Sequence, residues 1–562
     1  MTVLDDNHNS IELHTIQTAN VQENDIIQIS EYKIPDDPHD KKLLRKLDLH
    51  LIPTMTLLYL LSYLDRVNIG QAKLDGLMES LKLTSAQYNA CLSVFFITYV
   101  AFEIPSNLVL KKLRPSRWIP MIMIAWGIVM TLMGLVHSYG GLLACRLVLG
   151  AAESGLFPGA AFYLSSWYRR RELSWRISIL FSAAALAGAF GGVLAFGISQ
   201  MRGIGGQEGW RWIFYIEGMM TVLVGVAAFF LINDFPSDRP KFLTEEECDR
   251  TITRLQSDAG PGAGEHFSWK QVRAAFLDWK IYMFCLCYIA ITEPFYSLSL
   301  FSPTIVQSLG FQSYRAQLMT TPPYVFAFIT TMTTAYFSDR YTRRAVFIMF
   351  WLIVVIIGFI ILIASQNLNV KYFAVFLTAG GISPCMATCI AFISCNISPH
   401  TKRATALAFM LSVGNSGGAI SGQIYRSQDG PRFILGHAIN LGFCVLGLIS
   451  VIILFISLRL ENHRRDRLYG VVSSRNRKIS VITTELNKEV VDVCGIGSEE
   501  DRRKWGYEHM SEEEIRDLGD RHATWRSPTK SVLHIAKLIR GELTALTDIQ
   551  IAVPDDGYVR VG

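Results

Sequence analysis

Charged side chains are scarce in this chain, and they avoid its middle. Asp, Glu, Lys and Arg make up 18% of the 562 residues, whereas 50% of the residues are hydrophobic. Polar and charged residues concentrate in 1–47 and 462–562, and the apolar residues lie between these ends. This distribution is unusual for a soluble protein and favours a membrane protein. A net charge of +5 is too small to indicate a nucleic-acid-binding protein.

Sequence patterns of several other protein classes are also missing. The N-terminus has no basic segment followed by an apolar core, so we expect no cleaved signal peptide. The ten cysteines mostly lie in apolar runs, and their spacings do not match a paired CxxC metal site. The apolar segments contain no HExxH, GxSxG, DxD array or P-loop. We therefore expect a protein that is not an enzyme and has no cofactor.

Long apolar segments recur between the polar ends. A helix needs about 20 mostly apolar residues to cross a bilayer. The candidate spans are 48–67, 89–109, 118–137, 140–165, 177–199, 211–232, 281–301, 317–338, 345–365, 371–395, 404–425 and 435–459. We predict an all-α integral membrane protein with twelve transmembrane helices in two six-helix bundles. Its predicted parts are an N-terminal segment 1–47, a bundle 48–232, a central loop 233–280, a bundle 281–461 and a tail 462–562.

Lysines and arginines predict the orientation of these spans. They cluster in the loops after the second, fourth, eighth and tenth spans, whereas those in the other short loops are scattered. Because loops rich in Lys and Arg stay on the cytoplasmic side, we predict that both termini and the central loop are cytoplasmic. Within the central loop, 258–265 reads as a flexible stretch and 268–280 as an amphipathic surface helix. In the tail, 511–518 begins with a capping-box pattern.

Few ionisable residues lie inside the predicted spans. They are Asp65, Arg66, Glu103, Arg146, Glu153, Glu217 and Glu293. A charge at the centre of a spanning helix costs about 2.5–3.5 kcal/mol on insertion scales, so we expect each residue to face a partner or water. Arg146 and Glu153 are seven residues apart, which places them near one line of the helix but about 10 Å apart along its axis. They are too far apart to pair directly.

Two loops at equivalent places resemble a motif of the major facilitator superfamily. The stretch NLVLKKLRPSRW (107–118) follows the second span, and AYFSDRYTRRAV (335–346) follows the eighth. The second copy keeps the acidic and basic positions of the motif, whereas the first has lysine where the motif has Asp. Members of the superfamily bind substrate near the bilayer midplane, between two halves that rock. The resemblance implies gating roles for Lys111, Lys112, Asp339, Arg340 and Arg343.

Longer stretches resemble the anion:cation symporter family, and within it the fungal branch of allantoate, nicotinate and vitamin permeases. They include DRVNIGQA (65–72), FEIPSNLVLKKL (102–113), RLVLGAAESGLFPGAAFYLSSWY (146–168), GWRWIFYIEG (209–218) and QIYRSQDGPRF (423–433). The resemblance covers about 48–465, and 501–526 is similar to the same branch. It implies proton-coupled uptake of a small organic anion by a monomer in the plasma membrane, with the bilayer and protons as further partners.

The same resemblance assigns roles to the charged residues of the first and fourth spans. It ties Asp65, Arg66, Arg146 and Glu153 to proton coupling and anion binding. Our hypothesis is that Arg66 and Arg146 bind the anion, while Asp65 and Glu153 carry the proton and compete for the arginines when they are ionised. Neighbours on a helix point about 100° apart, so at most one of Asp65 and Arg66 can point at the cavity centre.

Other polar residues in the spans allow two interpretations each. Tyr296 and Asn415 either contact the substrate or bond a neighbouring helix. Glu103 lies near the end of the second span, and we favour a gating or structural role for it. We favour the same kind of role for Glu217. Glu293 faces either the cavity or the outer water.

Three alternative functions remain at this point. An exporter of an acidic metabolite would share the fold but move its substrate outwards. A polytopic membrane enzyme would need a catalytic constellation, for which the spans show no pattern. A nutrient receptor that moves nothing is the third, but no large signalling domain is attached.

Overall fold

The computed structural model describes residues 38–259, 269–311, 313–341, 343–398 and 400–469. Within these ranges the regular secondary structure is helical, and no strand occurs. The long helices, numbered in chain order, are α1 Pro38–Leu74, α2 Ser85–Lys112, α3 Pro115–Met133, α4 Tyr139–Glu153 continued by Leu156–Ser165, α5 Arg170–Ser199, α6 Gly209–Leu231, α7 Trp279–Ser308, α8 Thr321–Tyr341, α9 Arg344–Ala364, α10 Leu368–Asn396, α11 His400–Ser421 and α12 Ile434–Tyr469. We call α1–α6 the N-terminal half and α7–α12 the C-terminal half.

Ten of the helices in the described ranges are long and apolar enough to cross a membrane. The other two, α8 and α11, coincide with the eighth and eleventh predicted spans but are less apolar, with several Thr, Ser or Gly residues. The predicted all-α membrane fold is confirmed. The count of twelve spans and the cytoplasmic position of the termini stay predictions.

Several helix ends differ from the predicted boundaries. Helix α1 begins at Pro38 and therefore includes part of the predicted N-terminal segment, and α12 continues to Tyr469, into the predicted tail. A short helix covers Trp269–Phe276, and α7 already begins at Trp279, within the stretch expected to form a single surface helix. Most of the stretch 258–265, and the whole of 511–518, lie outside the described residues.

Local capping signals set the starts of several helices. Thr84 begins α2 with a capping box, in which its side chain and that of Gln87 bond each other's backbone N–H. The side chains of Ser138, Asp278 and Asn367 accept backbone hydrogen bonds at the starts of α4, α7 and α10. These caps fix where the connecting loops end and the next helices begin.

Helix packing divides into contacts inside each half and contacts between the halves. In the N-terminal half α3 packs on α6, α2 on α4 and α1 on α5. In the C-terminal half α9 packs on α10, α7 on α11 and α12, and α8 on α10. The halves meet mainly along three seams, α1 with α7, α2 with α11, and α5 with α8. This arrangement surrounds a central space with helices from both halves.

Glycines allow the two halves to come into close contact at the end of the molecule opposite Pro38 and Tyr469. Gly70, in the last turns of α1, lies so close to Leu300 that an added Cβ would fall 2.5 Å from its carbonyl oxygen. Gly192 of α5 lies against the backbone of Gln317, which precedes α8, and leaves no room for a Cβ there. Backbones can approach this closely only where side chains are absent.

Two short helices connect the halves, and each is bound to one of them. The helix Glu245–Ala259 contacts the N-terminal half through ion pairs, including Arg254 with Glu172 at 2.5 Å and Lys46 with Glu247 at 2.6 Å. The helix Trp269–Phe276 packs on α11. Each half therefore carries its own part of the connecting segment.

Candidate functional site

A narrow central cavity of about 20 Å³ lies between the two halves. Its lining comes from seven helices, and most of it is aromatic or apolar. The lining residues are Tyr59, Tyr63, Arg66, Tyr99, Phe157, Phe181, Ala184, Tyr288, Phe295, Tyr296, Met386, Leu411 and Asn415. Among them Arg66 is the single charged residue. The cavity therefore presents one cation in an aromatic environment to any ligand between the halves.

Arg66 is held by an ion pair and a group of aromatic rings. Its Nη2 and Nε donate to Oε1 of Glu153 at 2.5 and 3.1 Å, and Ser62 Oγ donates to the same oxygen at 2.6 Å. Both members of the pair are buried, with 5% and 1% of their side chains exposed. Four rings lie 4.9–6.0 Å from the guanidinium carbon, those of Tyr63, Phe95, Phe96 and Tyr99. The guanidinium is thus fixed in position at the cavity wall.

Asp65 faces away from this cavity. Its Oδ2 accepts hydrogen bonds from Trp126 Nε1 on α3 at 3.1 Å and from Thr221 Oγ1 on α6 at 2.8 Å. Glu217 of α6 is a neighbouring carboxylate, and neither of its carboxylate oxygens has a hydrogen-bond partner among the described residues. The adjacent acid and base of α1 therefore lie in different surroundings, one at the cavity and one between α1, α3 and α6.

Arg146 and Glu153 also lie in different surroundings. Glu153 reaches the cavity wall through Arg66, whereas Arg146 is absent from the cavity lining and only 1% exposed. Its electrostatic neighbours include Tyr88 and Cys91 on α2, and its Nε and Nη2 have no hydrogen-bond partner among the described residues. In this structure, then, only one of the two candidate arginines borders the cavity.

Tyr296 and Asn415 both line the cavity, and they contact each other. The Tyr296 hydroxyl donates to Asn415 Oδ1 at 2.9 Å. Asn415 Nδ2 donates in turn to Glu103 Oε2 at 3.3 Å, and Ser412 Oγ donates to that oxygen at 3.4 Å. Glu103, considered at the sequence level for gating, therefore contacts the C-terminal half next to the cavity.

Glu293 is fully buried but absent from the cavity lining. Its Oε1 accepts from Ser297 Oγ at 2.7 Å, and its backbone packs against Gly417 of α11. Neither position considered for it, the cavity wall or the outer water, is the one observed. Within the described ranges no cluster of three or more His, Cys, Asp or Glu side chains could hold a metal ion.

Sequence comparison identifies the protein family. Residues 55–422 match the sequence model of the Major Facilitator Superfamily. The chain belongs to this superfamily. As a superfamily member with many apolar helices, the protein is a multi-pass membrane transporter.

Three fungal transporters are among the relatives of this superfamily member. An uncharacterized transporter of Schizosaccharomyces pombe is 40% identical over 76% of this chain and 85% of its own. The MFS-type transporter cnsO of Penicillium expansum is 41% identical over 76% and 85%. The high-affinity nicotinic acid transporter of Saccharomyces cerevisiae is 35% identical over 77% and 81%.

A solved transporter structure shares the fold. A bacterial homolog of the human lysosomal transporter Spinster, crystallised in an inward-facing and occupied conformation, superposes with a TM-score of 0.54 at 16% identity. The match covers 73% of this chain and 96% of that one. At this identity the likeness concerns the fold alone.

The superfamily motif after α8 forms a local network. Arg344 Nη2 pairs with Asp339 Oδ1 at 3.0 Å, and Arg340 Nη1 donates to the Tyr336 hydroxyl at 3.3 Å. Arg343 is buried to about nine-tenths of its surface. In the first copy, Lys111 and Lys112 are the last residues of α2, and their side chains lie outside what the structure describes.

Several contacts of the transporter's cavity were not identified from the sequence. Tyr63 and Tyr59 lie one and two turns before Arg66 on the same face of α1, and this spacing would have revealed them. Ser62, which shares the Glu153 oxygen with Arg66, carried no comparable signal. Phe157 and Phe181 reach the cavity from α4 and α5. Apolar residues on spanning helices are common, so their type alone could not single them out.

Proposed function

We propose that this transporter moves a small organic anion, such as nicotinate or a related carboxylate, into the cell together with protons, across the plasma membrane. The observation that supports this most directly is the buried guanidinium of Arg66 at the wall of an aromatic cavity. Guanidinium binds carboxylate through two parallel hydrogen bonds, and aromatic walls suit a planar acid. The related nicotinic acid transporter supports the same substrate class.

The ion pair between Arg66 and Glu153 supports coupling to protons. Two donors of the guanidinium are occupied by one carboxylate oxygen of Glu153, so an anionic substrate must compete with it. Adding a proton to Glu153 removes its negative charge and releases Arg66 for the substrate. A proton and an anion then favour each other's binding by the same factor, which is the thermodynamic basis of symport. Arg66, Tyr296 and Asn415 are the proposed substrate contacts.

Two residues proposed from the sequence lie away from the cavity lining in this structure. Arg146 could contribute to anion binding only if helix movement brought it to the cavity, because it lies off the lining here. Asp65 could carry a proton between α1, α3 and α6, away from the substrate. We assign the proton linked directly to Arg66 to Glu153.

Replacing Arg66 tests the proposed anion site. For Arg66→Gln we expect kcat/KM for nicotinate uptake to fall about 10- to 100-fold, since a hydrogen bond to a charged group contributes about 1.5–3 kcal/mol. Uptake of labelled nicotinate into vesicles containing the purified protein measures this, with and without an inward proton gradient. Arg464→Gln serves as the control, because Arg464 is 70% exposed at the end of α12.

Transport by the wild-type protein distinguishes the proposed function from its alternatives. Acid uptake that depends on an inward proton gradient supports the proposal. Efflux of acids from loaded cells, lost on deletion of the gene and without matching uptake, would favour the exporter instead. No saturable movement of organic acids in either direction would refute anion transport.

A further inference from the structure

A buried chain of hydrogen bonds runs from the N-terminal half to the cavity wall in the C-terminal half. It connects Glu103 of α2, Asn415 of α11 and Tyr296 of α7, whose exposed fractions are 4%, 9% and 4%. A carboxylate can only accept hydrogen bonds, so the amide nitrogen of Asn415 faces Glu103. The amide oxygen must then face Tyr296.

The direction of this chain determines what Tyr296 can offer a ligand. Its hydroxyl hydrogen is donated to Asn415 Oδ1 at 2.9 Å. Tyr296 therefore has only acceptor capacity left towards the cavity, which it shares with Arg66. An anionic carboxylate needs donors, so this arrangement gives it nothing from Tyr296.

We propose that Glu103 is a positioning residue that links its own protonation to anion binding by reversing this chain. A proton from the aqueous phase converts the Glu103 carboxylate into a carboxylic acid, whose O–H donates to Asn415 Oδ1. The amide turns over, Nδ2 donates to the Tyr296 oxygen, and the Tyr296 hydroxyl donates to the substrate carboxylate beside Arg66. One proton is bound, and otherwise only hydrogen bonds change.

The surroundings of Glu103 suit such a change. Its electrostatic neighbours in the described residues are Arg66 from α1, Tyr99 on α2, and Tyr288 and Tyr296 from α7. The one cation among them, Arg66, already donates to Glu153.

The hydrogen bonds to the Glu103 carboxylate are also long. Its two neutral donors on α11 lie at 3.3 and 3.4 Å, whereas charge-assisted hydrogen bonds are usually about 2.7–2.9 Å. The ionised form is therefore held weakly, and a proton can be accommodated at this position.

The Glu103→Gln variant tests the inference, which rests on the proposed anion transport. Gln can donate to Asn415 Oδ1 at every pH and so imitates the protonated acid. In the wild type, the KM for the acid should rise from acidic to neutral pH. In Glu103→Gln we expect this rise to be about tenfold smaller, which corresponds to one hydrogen bond to a charged group. The pH dependence that remains belongs to Glu153. A merely structural role would lower transport equally at all pH values.

Tyr296→Phe provides the second arm. This variant lacks the hydroxyl that the reversed chain would present to the substrate. It should therefore lose the same gain in substrate affinity at acidic pH as Glu103→Gln does. The double variant should show no further change. The matched control is Glu293→Gln, a buried carboxyl in the C-terminal half that is absent from the cavity lining. A wild-type pH profile in Glu103→Gln, or additive effects in the double variant, would overturn the inference.

Infrared spectroscopy of the purified protein gives a readout that needs no substrate. In a pH titration, the carboxylic acid band of Glu103 should appear on acidification of the wild type and be absent from Glu103→Gln. If no organic acid is transported, the proposed function fails while this band still decides whether Glu103 takes up a proton. Absence of a difference between the two titrations would reject the proton site itself.

Discussion

Arg66 and Asp65 are neighbours in the chain, yet their side chains are stabilised in different ways. Arg66 is paired with Glu153 and surrounded by rings, whereas Asp65 relies on two neutral donors, Trp126 and Thr221. At the residue scale, Asp65 and Arg66 therefore belong to two separate sites and do not form an ion pair with each other. The separation follows from the angle of about 100° between neighbouring helix positions.

A prediction at this scale concerns Glu153. In Glu153→Gln we expect exchange of substrate across the membrane without a gradient to continue, because Arg66 no longer faces a competing carboxylate. Accumulation driven by the proton gradient should fall, since Gln binds no proton. Counterflow and gradient-driven uptake of labelled nicotinate, measured in the same vesicles, distinguish the two steps. Glu293→Gln should behave as the wild type does, and unchanged accumulation in Glu153→Gln would contradict the assigned role.

At the scale of helices, the seams between the halves depend on glycines at close contacts. Gly70, Gly192 and Gly418 each leave no room for a Cβ, because the partner half lies directly against them. Their contacts are with Leu300, Gln317 and Phe96 respectively. Since all three seams close at the same end of the molecule, movement of the halves must open or close them together.

Neighbouring glycines in α5 allow a controlled test of this seam. An added side chain at Gly192 would meet the backbone of Gln317 and the hydroxyls of Thr320 and Thr321, whereas nothing lies within 4 Å of a Cβ added at Gly191. We expect Gly192→Leu to abolish uptake and to increase labelling of cysteines placed along the seam, because the halves cannot close. Gly191→Leu should retain uptake. Equal transport by both variants would show that the seam does not close during the cycle.

At the scale of the whole molecule, ion pairs bind part of the connecting segment to the N-terminal half. Arg254 contacts Glu172 at 2.5 Å and Asp40 at 3.4 Å, and only 6% of its side chain is exposed. The helix Glu245–Ala259 is thereby connected to both α5 and α1. It should move with the N-terminal half as one body when the two halves rock.

Hydrogen exchange can test this attachment. Removing one partner of a buried ion pair costs about 3–5 kcal/mol. Arg254→Ala should therefore lower the exchange protection of Glu245–Ala259 by roughly 150- to 5,000-fold. Arg239→Ala removes an exposed ion pair between Arg239 and Glu245, the first residue of this helix. Exposed ion pairs stabilise a protein by less than about 1 kcal/mol. It should have little effect, and similar losses in both variants would argue against a specific role of Arg254.

Much of the fold could be predicted from the sequence because the signals for spanning helices are local. Apolar segments and polar connections located every long helix, although Pro38–Leu74 and Ile434–Tyr469 extend beyond the apolar residues that revealed them. A charged or polar turn at either end continues a helix as readily as an apolar one, so hydropathy misses such ends. In the site, the ionisable residues stood out because charges are rare in apolar segments.

The sequence by itself determined the helical membrane architecture, the loop motif of the superfamily and the constraint that only one of Asp65 and Arg66 can point at the cavity centre. Only the tertiary structure decided that Arg66 pairs with Glu153 and that Glu103 reaches Asn415 in the other half. Hydrophobic length and helical periodicity act between near neighbours in the chain. These partners are distant in the chain, and they meet only because close packing of the helices sets where each one lies.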